Sequence, residues 1–413
     1  MFSADVVTQT TEALHGPDWL QQQRADAAGR MASLDLPTFE LEEWRYSPID
    51  ELNPGRFAPA ATAPSATDAS GFAVPGAAAV VVTVDGFVVS VDAGSTPGLT
   101  VATASTAADP VEAGAAIDVF GEANTAFSPD PIVVTVKAGS EIDGPVVITH
   151  HLRADGVAAF PQVHVDAGPD SGVQVVEVFV SDDVAALTVP STRINVGDAA
   201  RVRYQQVQEL GPQVWQLGTL VAEVGSQAHF VGGVAAMGAG YGRLRTDCRL
   251  SGRGASGDLL AVYYGDGDQT LDFRTFQDHL ARDTTSNLLF KGVLDDTSTS
   301  IYTGLIRVAP EGAGTNAFQT NRNIKLSEDA WAESVPNLEI ENNDVRCSHA
   351  STVSPVDEEQ RFYLESRGVP TQAAERLIVE GFLDEVVSEI AVPAIADHVT
   401  SRIQAKLDER TTP

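Results

Sequence analysis

The run Val173-Gln174-Val175-Val176-Glu177-Val178-Phe179-Val180 is rich in β-branched residues and is typical of a buried strand. Similar short runs, such as residues 132–136 and 201–207, recur from about residue 131 to about residue 345. Glycine and aspartate clusters separate these runs. No amphipathic helix of ordinary length lies between successive runs, so a βαβ fold is not expected.

This β-rich body is long for a single β-sandwich, which typically takes roughly 100 residues. Repeated short strands with Gly, Asp and Asn at the corners favour a parallel β-helix, in which each coil buries its inward side chains on the next coil. The runs keep no strict period. The pattern alone therefore leaves a pair of sandwiches or a large barrel open as alternatives.

The region before the body predicts helices and a small α/β unit. The alanine-rich residues 18–31 and the later residues 111–125 predict helices. Asp85-Gly86, between two valine-rich runs, predicts a β-hairpin. Residues 54–70 are rich in Ala, Pro, Ser and Thr and predict a linker or a loop.

The tail after the body predicts three helices. Pro355 and the acidic residues behind it suit a first helical turn, and Arg367-Gly368-Val369-Pro370 ends that helix. Thr371 is expected to cap a second helix. Pro393 is expected to interrupt a third helix over residues 383–407.

The resulting organisation has three parts. Residues 1–128 form a helical and α/β region, residues 129–348 form the β body, and residues 349–413 form a helical domain. The tail helices carry apolar faces beside a body that is expected to close its own core. Such faces predict a partner, and removal of residues beyond about 355 is expected to leave a folded body.

The composition is strongly acidic, with 57 Asp and Glu residues against 26 Lys and Arg residues and a formal net charge of −31. This balance argues against nucleic acid and against anionic membrane surfaces as partners. Two cysteines do not make a disulfide framework. The sequence contains neither a visible secretory signal nor a run that is apolar enough to span a bilayer, so we expect a soluble, cytoplasmic protein.

Cys347 and His349 lie two residues apart near the end of the β body. On an extended strand their side chains share one face, and a thiol with an imidazole is a pair of soft-metal ligands. Two ligands do not complete a site, so a metal here would need a partner chain or a transient role. The alternative is that both side chains simply pack at the end of the body.

Other chemistry-bearing residues have structural interpretations. Cys248 lies in an alternating run and is expected to be a core thiol. His279 is expected to make hydrogen bonds at a coil corner, and His150, His151 and His164 are expected to be structural or on the surface. No glycine-rich stretch ends in Gly-Lys-Ser/Thr, so we expect no ATPase or other enzyme activity in the chain.

The tail carries a resemblance to a known family. Cys347-Ser348-His349-Ala350, the acidic residues 357–359, residues 362–369 and residues 380–382 resemble the C-terminal signature of the SufB/SufD family. Glu43-Trp44-Arg45-Tyr46 matches an N-terminal element of the same family, and the resemblance extends over nearly the whole chain. Members of this family are subunits of the SufBCD iron–sulfur cluster assembly complex.

Within the family the chain resembles the SufD type. SufB-type chains usually have Glu-His-Glu-Ala where this chain has Cys347-Ser348-His349-Ala350, and they have a cysteine in an upstream coil. The corresponding residues 317–321 contain none. The resemblance therefore implies a subunit that builds no cluster alone.

The resemblance implies a right-handed parallel β-helix that pairs with a SufB-like paralogue at its end, and a helical tail that binds the SufC-type ABC ATPase. It places His349, together with Cys347, at the SufB interface as candidate metal ligands. Iron or an iron–sulfur cluster would be held there transiently and not by the chain alone. A homodimer of the isolated chain is also expected to be possible. The residues that match the tail motif, and that we expect to bind the partner, are Arg367, Gly368, Ala374, Gly381 and Phe382.

Two other functions stay open on the sequence. A self-sufficient cluster scaffold of the SufB kind would give a stable chromophore when the isolated chain is reconstituted with iron and sulfide. A carbohydrate-active β-helix enzyme is disfavoured, because it would want an export signal and a basic groove for acidic sugars, and the chain has neither.

Overall fold

The computed structural model describes residues 1–64, 69–107 and 109–410. None of the helices within these ranges is long and apolar enough to cross a membrane. Short 3₁₀ turns occur at Glu42–Trp44, Ile49–Glu51 and Pro54–Arg56. The α-helices α1–α6 cover, in order, Ala4–Ala13, Asp18–Met31, Val119–Phe127, Glu358–Ser366, Thr371–Val387 and Pro393–Arg410.

The strands follow one another at short intervals along the chain. Strands β1–β11 cover, in order, Ala58–Pro59, Ala79–Val84, Phe87–Asp92, Leu99–Thr103, Ile132–Val136, Val146–Leu152, Val157–Ala159, Gln162–Ala167, Gly172–Ser181, Ala186–Thr188 and Ser191–Val196. Strands β12–β22 cover, in order, Arg201–Glu209, Val214–Val224, His229–Ala236, Tyr241–Leu250, Ser256–Gly265, Thr270–His279, Thr285–Leu294, Thr299–Val308, Thr315–Lys325, Trp331–Ile340 and Val345–Pro355.

Two long sheets face each other across the body. Sheet A runs in the order β21-β19-β17-β15-β13-β11-β8-β5-β4, and sheet B runs in the order β22-β20-β18-β16-β14-β12-β9-β6-β2-β3. From β12 onward the chain alternates between the two sheets, and each strand pairs in parallel with the strand one coil away. The body is therefore a parallel β-solenoid, as predicted, and the sandwich-pair and barrel alternatives were wrong.

The coils differ in length. Successive register partners in sheet B are Val202, Phe230, Gly257, Ser286, Ala317 and Cys347, so one coil takes between 27 and 31 residues. One corner of each coil turns through a residue with positive φ. These residues are Asp170, Ala199, Gln227, Gly254, Asp283 and Gly314. Each backbone N–H at this corner bonds a carbonyl of the next coil at 2.7–3.0 Å, which holds the corners in a stack.

The lumen between the sheets is mostly a hydrophobic core. Valine, isoleucine, leucine and alanine side chains from both sheets fill it, with rings such as Phe230 and Phe273 in the later coils. Because parallel partners point the same way, each inward side chain packs on the inward side chain of the neighbouring coil. The apolar core therefore continues along the solenoid axis as far as Phe290 and Tyr302.

The N-terminal region covers the outer side of sheet A. Helices α2 and α3 and the 3₁₀ segments bury Met31, Trp44, Phe120 and Phe127 against this region of the body. The predicted hairpin is present, since β2 and β3 are antiparallel and Asp85 and Gly86 have positive φ. The helix predicted over residues 111–125 was wrong at its start. Asp118 caps α3 by accepting hydrogen bonds from two backbone N–H groups, so the helix begins at Val119.

Residues 54–70, predicted to be a linker or a loop, contain structure where they are described. They hold the last 3₁₀ turn and β1, which pairs in parallel with β7. Residues 65–68 lie outside the described residues.

The C-terminal helices cover the outer side of sheet B. Helix α5 runs on through Gly381 to Val387, so the helix boundary predicted near residue 382 was wrong. Thr371 is its first residue rather than its cap. The predicted break at Pro393 is present, because α6 begins there. The boundary predicted between residues 348 and 349 falls inside β22.

We expect Ala199→Gly to stabilise the protein. Ala199 is exposed and has a φ of 58°, a conformation that strains an L-residue but costs glycine nothing. Relief of this strain should raise the free energy of unfolding by about 0.5–1 kcal/mol, measured as a higher Tm in calorimetry. Ala138→Gly is the control, since Ala138 is exposed in a turn outside the left-handed region, and it should lower the Tm. A lower Tm for Ala199→Gly would contradict the corner geometry.

Two of the buried histidines, His164 and His279, have pKa values that burial lowers. His279 ends β17, and its two ring nitrogens lie 2.8 Å from the Thr284 hydroxyl and 2.9 Å from the Ser286 hydroxyl. Burial lowers the pKa of His279 to about 4. Burial and, to a smaller extent, the charge of Arg193 lower the pKa of His164 to about 4. Both rings are therefore neutral in the folded protein at neutral pH.

This burial predicts a loss of stability in mild acid. Below the ordinary histidine pKa of 6.5 the unfolded chain binds a proton that folded His279 does not bind until about pH 4. The Tm should therefore fall as the pH drops from 7 to 5, with roughly 2 kcal/mol lost per buried histidine at pH 5. His279→Gln, which can keep both hydrogen bonds, should show a smaller fall, whereas the exposed His15→Gln should match the unmodified chain. Equal falls in all three proteins would refute this explanation.

Candidate functional site

The last coil of the solenoid has two free edges. Within the described residues β21 pairs only with β19, and β22 pairs only with β20. A 2.7 Å hydrogen bond between the Ser351 and Ser334 hydroxyls joins the two final strands. Most side chains along β22 are exposed. Unpaired backbone groups on such edges are templates for another strand, so this end of the body is a candidate interface.

Cys347 and His349 share one face of β22. Their register partners in β20 are Ala317 and Gln319, which are buried, so this face points toward the lumen. In an earlier coil the same two positions would be core. Here no further coil lies above them, and His349 is exposed. The strand thus presents an imidazole and a thiol at the mouth of the lumen.

The thiol of Cys347 is half-buried. It packs beside the apolar residues Ile306 and Val308 of β19 and Ala317 of β20. Burial raises the pKa of Cys347, while the backbone N–H of Ala317 works in the opposite direction. The thiol therefore stays protonated at neutral pH until a metal or a nearby cation displaces the proton.

The two candidate ligands do not form a complete metal site in this chain. The described residues contain no group of three or more His, Cys, Asp or Glu side chains that could hold a metal ion. A tetrahedral site needs four ligands. If Cys347 and His349 bind a metal, they form a half-site, to which a second chain or a bound cargo would have to bring the remaining ligands.

The lumen directly beneath the open end is polar, which the sequence analysis did not predict. The Tyr263 hydroxyl donates to Asn323 at 2.7 Å and accepts from Asn321 at 3.1 Å, and Asn323 donates to Asn321 at 3.0 Å. All three side chains are buried. These three bonds link β20 to β16 inside the lumen, beneath the Ser351 and Val353 positions of β22.

The other candidates from the sequence have structural roles. Cys248 is fully buried in the core, and burial raises the pKa of its thiol far above the ordinary value. His279 bonds two hydroxyl groups at a coil corner, as predicted. His150 is buried between the Thr83 hydroxyl and the Glu177 carboxylate, each at 2.9 Å. None of these groups faces the open end.

The five tail residues expected to bind a partner do not form one surface. Ala374 is fully buried, and Phe382 is half-buried beneath the Lys291 ammonium group, whose nitrogen lies 4.5 Å from the ring centroid. Gly368 has a φ of 86° and ends α4 through a hydrogen bond to the Glu365 carbonyl, so its role is local geometry. Arg367 and Gly381 are exposed.

The exposed apolar residues of the tail are different ones. Phe362 is 70 %, Tyr363 57 % and Leu377 51 % exposed. Tyr363 and Leu377 line a groove of about 830 Å³ between α4, α5 and the edge of sheet B. Such large apolar side chains clustered on a surface mark an interaction site. The match to the tail motif did not predict which tail side chains are exposed and which pack against the body.

Most of the tail's apolar surface is already covered by the body. Side chains such as Leu383 and Ile403 pack on an apolar cluster of sheet B that includes Val178 and Val262. The expectation that these helix faces need a partner was wrong for all but the exposed residues above. Removing the tail would uncover a broad apolar face of the body, so deletion is not a clean test of partner binding.

The family comparison matches a large part of the chain. Residues 150–382 match the family described as "SUF system FeS cluster assembly, SufBD core domain". The match begins in β6, includes the final coil with Cys347 and His349, and ends in α5.

Individual relatives give the same result. An iron–sulfur cluster assembly SufBD family protein of Mycobacterium tuberculosis is 32 % identical over 293 residues, which cover 68 % of this chain and 73 % of that protein. The iron–sulfur cluster assembly protein SufD of Bacillus subtilis is 30 % identical over 275 residues, which cover 66 % of this chain and 63 % of that protein. The SufD protein of Escherichia coli is 26 % identical over 400 residues, with 90 % and 89 % covered.

Proposed function

Because the chain belongs to the SufBD family of iron–sulfur cluster assembly proteins, we propose that it acts as a SufD-type accessory scaffold subunit. In this proposal it pairs with a SufB-like paralogue at the open end of the solenoid and binds a SufC-type ABC ATPase through its tail. The observation that carries the proposal is the uncapped final coil, which presents Cys347 and His349 beside two free strand edges.

The chemistry of the half-site supports this role. A neutral imidazole binds iron through one nitrogen, and a cysteine binds it as the thiolate. With ligands divided between two chains, a site is complete only when the chains meet. Iron or a nascent cluster is then cargo held at the seam, and docking of the partner excludes water from it. His349 is the primary ligand in this proposal because it is exposed, whereas Cys347 is half-buried.

The proposal assigns no reaction to the chain itself. The sequence has no phosphate-binding Gly-Lys-Ser/Thr loop, so ATP hydrolysis is the task of the partner. Both cysteines are free, which suits the reducing cytoplasm in which we place this function.

We propose that the exposed part of the tail is the ATPase-binding surface. Phe362, Tyr363 and Leu377 supply the apolar centre, and the groove that two of them line is walled by Arg322 and Glu385. An apolar centre with a polar rim is the usual anatomy of a protein interface.

His349→Ala is the first test of the proposal. The side chain is exposed and contributes no core packing, so the variant should fold and assemble with its partners as the unmodified chain does. Loss of the imidazole should lower the cluster content of the assembled complex by roughly tenfold or more, measured by iron analysis and visible absorbance. Cys347→Ser should have a smaller effect.

The matched control is His15→Ala, which removes an exposed histidine far from the open end along the chain. It should leave cluster content unchanged. A His349→Ala complex that assembles normally and matures clusters at the unmodified rate would refute the proposed ligand role.

Phe362→Ala and Leu377→Ala test the tail surface. Both side chains are at least half exposed, so the Tm should change little. Each substitution should weaken the affinity for a SufC-type ATPase by about tenfold, measured as Kd by calorimetry. Leu280→Ala is the control, because Leu280 is an exposed leucine at a coil corner of the body. Unchanged Kd values for both tail variants would exclude this surface.

A further inference from the structure

A short N-terminal strap, residues 43–46, crosses the outer face of sheet A and is clamped there by two arginines. The Arg243 Nη2 donates to the Glu43 carbonyl at 2.9 Å, and the Arg274 Nη2 donates to the Arg45 carbonyl at 2.8 Å. The Arg243 guanidinium carbon lies 3.8 Å from the Trp44 ring centroid, in cation–π geometry. The strap is therefore fixed on the sheet through its backbone and its tryptophan.

The clamp itself is buried and rigid. Asp272 is fully buried and accepts hydrogen bonds from Arg243 at 2.9 Å, from Arg274 at 2.6 Å and from the Tyr241 hydroxyl at 2.8 Å. The carboxylate sets the direction of both guanidinium groups, and the Nη2 of each also donates to a strap carbonyl. The Arg274 Nη1 donates to the Thr303 hydroxyl at 2.8 Å. The position of the strap is thus determined by the solenoid.

The strap ends in a strained aromatic residue. Tyr46 has a φ of 68°, which is a genuine outlier for a bulky side chain, and its ring is 44 % exposed. The ring contacts Trp331 edge-on, with centroids 5.9 Å apart and planes at 70°. The tryptophan is itself 43 % exposed. The backbone strain at Tyr46 is not offset by burial of its ring, so the conformation indicates a functional rather than a structural role.

Trp331 is the first residue of the free edge strand β21. It ends a column of outward-facing register partners formed by Tyr241, Thr270 and Thr299. The next position in this column would belong to a strand added to β21. That strand would pass directly beside the Tyr46–Trp331 pair.

We infer that Tyr46 and Trp331 form an aromatic platform that receives the SufB-like partner where it adds to the edge of β21. The inference rests on the proposed function. It extends the proposed partner interface from the edge of sheet B to the edge of sheet A. Both edges belong to the same final coil, so one partner that continues the solenoid meets His349 on one sheet and the platform on the other.

The platform also indicates the chemistry of the partner's segment. Glu333 follows Trp331 on the same outer face of β21, whereas Glu339 already lies 3.9 Å from the Arg307 Nε of β19. A complementary strand therefore carries an apolar or aromatic residue opposite the platform and a basic residue beside Glu333. Arg is suited to both positions, because its guanidinium group stacks on rings and pairs with carboxylates.

The test uses Tyr46→Gly and Trp331→Thr in the full chain with a purified SufB-like paralogue as the probe. Glycine relieves the backbone strain, and threonine is the residue at the preceding positions of the column, so both variants should keep their Tm. Each should weaken the Kd for the paralogue about fivefold, and the double variant should add little, since each ring needs the other. Tryptophan emission should shift to the blue on binding in the unmodified chain and less in Trp331→Thr.

Phe39→Ala is the control, an exposed ring in the same region that lies outside the strap, and it should bind normally. Unchanged Kd values for Tyr46→Gly and Trp331→Thr, with His349→Ala still losing clusters, would overturn the platform and leave the proposed function standing. If the substitutions only dissociate a dimer of the isolated chain in ultracentrifugation, the platform contacts a second copy of this chain. That result would also overturn the inference. No binding of the unmodified chain to the paralogue would overturn both.

Discussion

Parallel, in-register stacking is the constraint on which this structure depends. Every coil needs a neighbour to cover its inward side chains and to bond its strand edges. At the N-terminal end the need is met within the chain, because β3 pairs antiparallel with β2 and β4 pairs antiparallel with β5. At the C-terminal end the described residues provide no such cap. The two ends of the solenoid therefore differ, because antiparallel strands cover the first coil, whereas the parallel strands β21 and β22 of the last coil have no such cover within the described residues.

The candidate site is a direct consequence of this asymmetry. Cys347 continues a column that passes through Ser286 and Ala317, and those two residues are fully buried. A side chain that points inward is a core residue in an inner coil. In the final coil the same orientation leaves the side chain partly accessible, which makes it a candidate ligand. A partner that caps the coil would bury Cys347 and His349 as the next coil buries Ala317. In the proposed function, metal binding and docking would be linked through the desolvation of the same side chains.

The sequence was sufficient for the fold class because β-prone runs and turn residues are local signals. It was insufficient for the coil period, since coils of 27–31 residues turn at Ala199 or Gln227 as well as at glycine. The Arg243–Asp272–Arg274 clamp was also missed, because charges two residues apart in a strand resemble an exposed face. Cys347 and His349 were placed on one face correctly from their spacing alone. Which tail residues are exposed depends on how α5 and α6 pack, and that packing has no local sequence signal.

The tail is anchored to the body near the open end. Lys291, in β18, is buried and bonds the Phe382 carbonyl and the Glu385 carboxylate of α5, and Lys406 of α6 bonds Asp266 at 2.7 Å. Since β18 lies two strands from β22 in sheet B, the Lys291 anchor is roughly 10 Å from the edge that carries His349. In the proposed function, an ATPase that moves α5 would pull on the end of the solenoid through these bonds. In such an assembly, movement of the ATPase would displace one chain relative to the other at their interface. A metal site whose ligands are divided between the two chains would be opened or closed by that displacement.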